Sequence, residues 1–145
     1  MAKNLQFKIV TPERVVFEDS VDEVILPTVE GEIAVLPHHI PLVSLLASGI
    51  LRIKKGEEEI PLAVSSGVIE VDGKRVTVLA DTAERADELE EEKIEKARAA
   101  AQKLMEEKRG DAEGFAEATA VLEREIARLK VAKRYRRGSH GPKPI

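Results

Sequence analysis

Apolar and polar residues alternate along the first part of the chain. Leu5-Gln6-Phe7-Lys8-Ile9-Val10 has the period of two expected of a half-buried strand. Thr11-Pro12-Glu13-Arg14 reads as a turn, because proline fixes φ and supplies no backbone donor. Val15-Val16-Phe17 starts a second strand, and Val21 to Pro27 continues in extended form. Glu30-Gly31-Glu32 is a turn ahead of Ile33-Ala34-Val35-Leu36. Gly49 to Lys54 alternates imperfectly, and Lys55-Gly56-Glu57 reads as a hairpin turn into Glu59 to Val64. Ser65-Ser66-Gly67 breaks that run. Asp72-Gly73, between Val68-Ile69-Glu70-Val71 and Arg75-Val76-Thr77-Val78-Leu79, predicts a type I′ turn with φ > 0 at both central residues. Short strands with turns at this spacing predict a sandwich or a barrel.

From Thr82 onward the period changes. Ile94, Ala97, Ala101, Leu104 and Met105 recur at three and four, as do Phe115, Ala118, Leu122, Ile126 and Leu129. Each set is one apolar stripe on a helix. Between them, Gly110 suits a helix C-cap and Asp111 an N-cap. Two antiparallel helices of roughly 20 to 25 residues are expected. The fold class is then an all-β N-terminal domain plus an all-α C-terminal helical hairpin. The expected divisions are 1–85 for the β domain, 86–137 for the hairpin and 138–145 for a loose tail. Neither stripe is wide, so the hairpin must dock on something or remain marginal.

Composition narrows this picture. The chain has 145 residues, with 43% hydrophobic but only 3% aromatic, so the core is expected to be aliphatic. It contains no cysteine, which excludes disulfides, thiolate nucleophiles and Cys-ligated metals. Met1 to Val10 alternates and does not read as a signal peptide. No run approaches the length of a membrane span, so any membrane link is expected to go through a partner. A net charge of −4 argues against nucleic-acid binding. The charge is uneven: residues 87–95 (DELEEEKIE) are acidic and residues 124–137 (REIARLKVAKRYRR) are basic. The two blocks could pair with each other or with a partner.

Chemistry is scarce. The histidines are His38, His39 and His140, and no HExxH, GxSxG, GxxxxGK[ST] or GxGxxG occurs. Glu30/Glu32 and Asp22/Glu23 are more simply solvated turn residues than paired acid–base groups. No catalytic residue, no metal site and no cofactor are expected. In Gly31 to Leu42 two prolines bracket two histidines between apolar stretches. That suits an ordered loop joining strands, or a loop that makes contact with a partner.

This stretch resembles the epsilon subunits of bacterial F-type ATP synthases, which carry a glycine, an acidic residue, a short apolar strand and Leu-Pro-x-His-x-Pro-Leu. Phe7-Lys8-Ile9-Val10-Thr11-Pro12-Glu13-Arg14-Val15-Val16-Phe17 is similar to that family's first hairpin. Ser66 to Val71 followed by Val76 to Ala80 resembles its last strand pair, and Ala83-Glu84-Arg85-Ala86 its domain junction. The likeness covers residues 4 to about 135. It implies a two-sheet β-sandwich docked on a gamma subunit and on the polar loops of a membrane c-ring. Glu32 and His39 would take the loop positions facing the c-ring, Glu32 pairing with a basic residue there. Where the family often has glycine, this chain has Ala34 and His38.

The resemblance also implies a hairpin that switches between a compact and an extended form, the latter blocking ATP hydrolysis. Arg124, Arg128, Lys130, Lys133 and Arg134, with Arg136 and Arg137, would then meet acidic loops of the alpha and beta subunits. Without such a partner they are a solvated face. Some relatives bind ATP in the folded hairpin. Here Glu84, Glu90, Lys93, Arg124 and Arg128 would be the contacts, with ATP as a regulatory ligand. Leu89 to Ile94 takes the place of the family's nucleotide motif, with Glu90 for Asp and Lys93 for Arg; Ile94 to Ala99 fits the letters better but lies five residues late. The implied role is a non-catalytic rotor subunit coupling proton flow to ATP synthesis, peripheral on the cytoplasmic face of a bacterial plasma membrane. The competing readings are a stand-alone β-sandwich adaptor with a helical protein-binding tail, and an ATP-sensing module.

Overall fold

Alternation in the first half produces strands whose buried sides face one another. A computed structural model describes the backbone of residues 5–140 and the side chains of residues 5–133. The strands are β1 (Leu5–Val10), β2 (Val15–Val21), β3 (Glu23–Thr28), β4 (Gly31–Val35), β5 (Leu42–Leu46), β6 (Gly49–Lys55), β7 (Glu58–Val64), β8 (Gly67–Val71), β9 (Arg75–Ala80) and β10 (Ala83–Arg85). They pair in the orders β10-β7-β6-β3-β4 and β5-β8-β9-β1-β2. A single residue pair, Thr28 opposite Leu46, joins the two groups into one continuous sheet that folds over on itself. The chain from β5 to β6 makes this corner: β3 pairs with β6 at Glu23 to Ile25 and with β5 at Thr28. The ladder between β1 and β9 is parallel, and the remaining described ladders are antiparallel.

The two layers bury an aliphatic core, as the composition led one to expect. Leu5, Phe7, Ile9, Ile69, Val76 and Val78 from one layer meet Val24, Leu26, Leu51, Ile53 and Leu62 from the other. Among the described residues, the ring–ring contact is that of Phe7 and Phe17, with centroids 5.9 Å apart. The two-layer β domain and two C-terminal helices agree with the fold class read from the sequence.

The β8–β9 turn differs from the expected form. Asp72 N–H donates to Arg75 O at 3.0 Å, so Gly73-Lys74 rather than Asp72-Gly73 is the central pair. Of these residues only Gly73 has positive φ, at 80°, and Lys74 N–H bonds back to Asp72 O at 2.9 Å. The Asp72 carboxylate accepts Arg75 N–H at 3.1 Å. That side-chain bond caps the turn and leaves one left-handed residue sufficient, which glycine supplies.

A short 3₁₀ turn, Ala86–Glu88, leads to α1 (Glu91–Glu107) and α2 (Ala112–His140). The first helix has 17 residues and the second 29, against the similar lengths expected. Only the second half of the acidic block opens α1, with Glu91 and Glu92 in its first turn: Leu89 and Glu90 stay extended while Leu89 packs into the clusters beneath the hairpin. At the other end α2 continues beyond Arg137 to His140, since Gly138-Ser139-His140 holds no proline to stop it. Residues 141–145 of the tail lie outside the described residues. Lys108, not Gly110, caps α1, and Gly110 is not among the positive-φ residues. Asp111 stands at the N-cap as expected, its carbonyl accepting Phe115 N–H at 2.9 Å.

The hairpin lies against β6 and β7. Val131 packs with Ala63, Ala86, Ile50 and Leu89, and Leu129 and Ala132 pack with Ile94 of α1. The buried stripe of α2 toward α1 runs through Ala118, Glu125, Leu129 and Ala132. Ile126, expected within that stripe, is exposed on its flank.

Gly67 is the tightest point of the sandwich. A Cβ there would meet Leu79 O at 2.0 Å and Ala80 Cα at 2.9 Å, both rigid backbone. Gly67→Ala is expected to lower unfolding stability by about 2–3 kcal/mol through forced separation of β8 and β9. Urea unfolding of the full chain checks this, and a loss below measurement error would contradict it.

Candidate functional site

Alternation should place polar residues on the outer face of a solvent-facing sheet. On the β5-β8-β9-β1 layer Glu70, Thr77 and Lys8 follow this, but the neighbouring row does not. Leu45 pairs with Val68, Val68 with Leu79, and Leu79 with Val10, which sets one apolar row across four strands. Leu45 is 56% exposed, Val68 39% and Leu79 56%. Val43 extends the patch along β5, and Val15 beyond Val10. Cross-strand neighbours of this kind touch one another, so the row is a contiguous surface rather than scattered residues.

The segment with two prolines and two histidines is ordered. Leu36-Pro37-His38-His39 forms a turn closed by His39 N–H to Leu36 O at 3.2 Å. With Pro37 at its second position and His38 at φ 69°, it has the type II form. His38 N–H donates to Gly73 O at 2.7 Å, tying the loop to the β8–β9 turn. His39 Nδ1–H donates to Ile40 O at 2.7 Å, so part of its hydrogen-bonding capacity serves the loop itself. His38 therefore adopts, as an L-residue, the left-handed conformation that a glycine would take without strain.

Glu32 and His39 are not brought together. Glu32 lies on β4 opposite Pro27, beside the β3–β4 turn, and accepts from Arg52 Nη2 at 2.8 Å. From there β4 carries the chain roughly 13 Å to Leu36. His39 follows at the opposite end of the sandwich, beside the Gly73 turn. The reason is topological: Thr28 pairs with Leu46 and Leu46 with Gly67, which stands at the far end of β8 from Asp72. Glu32 instead shares a cleft of about 430 Å³ with Arg52 and with Lys130 of α2.

Among the described residues, the ion pairs seen in the two charge blocks include several within one helix. In α1 and just before it, Glu90 pairs with Lys93, Glu92 with Lys96 and Glu95 with Arg98. In α2, Arg128 Nη1 bonds Glu125 at 2.7 Å and Arg124 Nε lies 3.5 Å from the same carboxylate. Arg128 also reaches the β domain, its Nη2 donating to Glu84 Oε2 at 3.0 Å. Its Nε lies 2.9 Å from Glu84 Oε1, a charge contact without hydrogen-bond alignment. Burial alone would lower the Arg128 pKa, but the bonds and charges of Glu84 and Glu125 outweigh it and hold the group above its ordinary value. The stabilisation from this raised value is complete at neutral pH and fades only as pH climbs beyond the arginine range.

Of the proposed nucleotide contacts, the structure thus joins Glu84 to Arg128, while Glu90 and Lys93 form a separate exposed pair. Lys130 and Lys133 are exposed, and the side chain of Arg134 lies outside the described residues. Glu125, only 2% exposed, was not singled out by the sequence reading. Its signal was positional: it falls three residues after Leu122 and four before Leu129, inside the stripe. Among the described residues, no three His, Asp or Glu side chains group as a metal site, and no helix is long and apolar enough to cross a membrane.

The β-sandwich domain of the ATP synthase delta/epsilon chain matches residues 4–86. The chain belongs to the ATP synthase epsilon-chain family. It is 47% identical over 137 residues to the ATP synthase epsilon chain of Dehalococcoides mccartyi, covering 94% of this chain and 97% of the relative. With the epsilon chain of Herpetosiphon aurantiacus it shares 46% over 129 residues, covering 89% and 94%. A chain of the Euglena gracilis mitochondrial ATP synthase structure superposes with a TM-score of 0.77 at 23% identity, covering 92% of this chain and 83% of that one, which speaks for the fold. As an epsilon-family member the chain is a structural subunit of the complex and not itself catalytic.

The left-handed His38 gives a test on this epsilon-family chain. His38→Gly trades conformational strain for chain entropy and should change stability by less than about 1 kcal/mol. His38→Val places a β-branched residue at positive φ and should cost about 1–2 kcal/mol. Thermal unfolding of both variants checks the order; a valine variant as stable as the glycine one would contradict it.

Proposed function

We propose that this chain is a central-stalk rotor subunit of a bacterial, proton-translocating F-type ATP synthase. In this reading its sandwich links a gamma subunit to the c-ring, and its hairpin restrains ATP hydrolysis. The observation that carries the reading is the unequal treatment of the two outer faces. One is covered by the chain's own hairpin, and the other carries the bare apolar row of Leu45, Val68 and Leu79. An apolar row of that continuity suits a permanent protein neighbour, and gamma is the partner it is assigned here. A chain in a structure of the Tetrahymena thermophila mitochondrial ATP synthase central stalk and c-ring has a similar fold, with a TM-score of 0.55 at 9% identity. Attachment to the cytoplasmic face of the membrane then runs entirely through these partners.

For the c-ring, Glu32 is the contact we favour, because its carboxylate is half-exposed and held in place by Arg52. His39, at the other end of the sandwich, is assigned the upkeep of its own loop. The hairpin's role follows from its modest hold: alanines make much of its apolar contact with the sandwich, so undocking exposes little surface. An undocked α2 would present Arg124, Arg128, Lys130, Lys133 and Arg134 to acidic loops of the alpha and beta subunits.

Two measurements test these assignments separately. In the assembled synthase, removing residues 87–145 should raise ATP hydrolysis several-fold; an unchanged rate would sink the inhibitory role. Leu79→Asp puts a charge into the apolar row and should weaken gamma binding by about tenfold or more. Unaltered binding in a titration with purified gamma would remove that face from the interface.

A further inference from the structure

Glu125 is a buried carboxylate in the middle of α2, with the guanidinium groups of Arg124 and Arg128 on it. Its placement has a counterpart on the β domain. Glu84 stands on β10, directly opposite Ala63 of β7, and Ala63 is one of the residues under Val131. Arg128 bridges the two acids: one edge of its guanidinium faces both Glu84 oxygens, and Nη1 takes Glu125. Charge contact and apolar contact between hairpin and sandwich thus lie side by side.

We infer that Glu84, Arg128 and Glu125 form a charge latch that governs how often the hairpin leaves the sandwich. The inference rests on the reading of the hairpin as a mobile regulator and supplies the contact that would set its equilibrium. Glu125 fixes the arginine's direction from three residues away on the same helix, so the guanidinium is already aimed when α2 arrives at β10. In the docked form the fork on Glu84 specifies one register of α2 along the sheet. On release, Glu84 and Arg128 both return to water. A partly buried ion pair therefore adds specificity while leaving the net hold small, since the desolvation cost of docking offsets much of the attraction.

The design makes the three members unequal. Losing Glu84 leaves Arg128 with Glu125, a complete pair within α2. Losing Arg128 leaves Glu125 buried with, among the described residues, only the more distant Arg124, whereas Glu84 is a quarter exposed and keeps the attraction of Arg14. The docked form should tolerate the first change far better than the second. Replacing the buried pair with apolar residues of similar size should close the latch instead of opening it, because the desolvation cost disappears.

The chain has no native cysteine, so spin labels on Glu57→Cys and Glu117→Cys report the distance between sandwich and hairpin in the full-length protein. Relative to the labelled parent, Arg128→Met should raise the undocked population at least about tenfold and Glu84→Gln about threefold. The double variant Glu125→Leu, Arg128→Met should return it to the parent level or below. Glu84→Gln alters only the sandwich side, so it reads the latch even if α2 is perturbed by the arginine change. Distance distributions for Arg128→Met and Glu84→Gln that match the parent would overturn the latch, as would a double variant as open as Arg128→Met. Distances that shift as expected while hydrolysis by the assembled synthase stays constant would support the latch and remove the inhibitory role instead.

Discussion

In β7, Leu62, Ala63 and Val64 are all buried in succession. A strand sends neighbouring side chains to opposite faces, so this run demands cover on both sides of the sheet. The sandwich core supplies one cover, over Leu62 and Val64. The other must come from outside the sheet, and Val131 of α2 provides it over Ala63. Much else depends on this requirement. It places α2 across β6 and β7, puts Arg128 next to Glu84, and leaves α1 as an outer layer that reaches the core of the molecule mainly through Ile94. The opposite layer has no such cover, although Val68 and Leu79 would be suited to one.

Local patterns carried far in the sequence where a single physical period ruled. Leu5, Phe7 and Ile9 alternate and are buried, whereas the change of period read from Thr82 comes early: β10 (Ala83–Arg85) still pairs with β7, and α1 starts only at Glu91. The reading weakened wherever two requirements met in one segment. In residues 87–95 helix-forming acids compete with Leu89, which gains more by packing beneath the hairpin in an extended link. In α2 the residues facing α1 and those facing the sheet are both buried, so no single stripe describes the helix and Glu125 passes unnoticed. Asp72 was read as a left-handed turn residue when its side chain was better used as a cap.

The candidate site was legible as residue types but not as an arrangement. Glu32 and His39 lie close in sequence, yet β4 is straight and extended between them, and only the register with Pro27 and the bond to Gly73 shows that they occupy opposite ends. Likewise, acidic and basic blocks on adjacent helices suggest pairing across the hairpin. Among the described residues, Lys93, Lys96, Arg98 and Arg128 instead pair with acids three or four residues away, which are nearer.

The parallel ladder between β1 and β9 has a consequence for how the protein comes into being. Gln6 faces Arg75 and Val10 faces Leu79, so during synthesis β1 waits for almost the whole sandwich before its second neighbour exists. Until then β1 and β2 form only a hairpin, with Leu5, Phe7 and Ile9 unsheltered. Closure of the domain is a late and long-range event, and assembly is paced by the meeting of its two ends rather than by any turn between them. For a subunit that must join a larger machine, the apolar row that crosses from Leu79 to Val10 is completed only at that same moment. The docking face and the finished fold arrive together, and an immature chain has no such surface to offer.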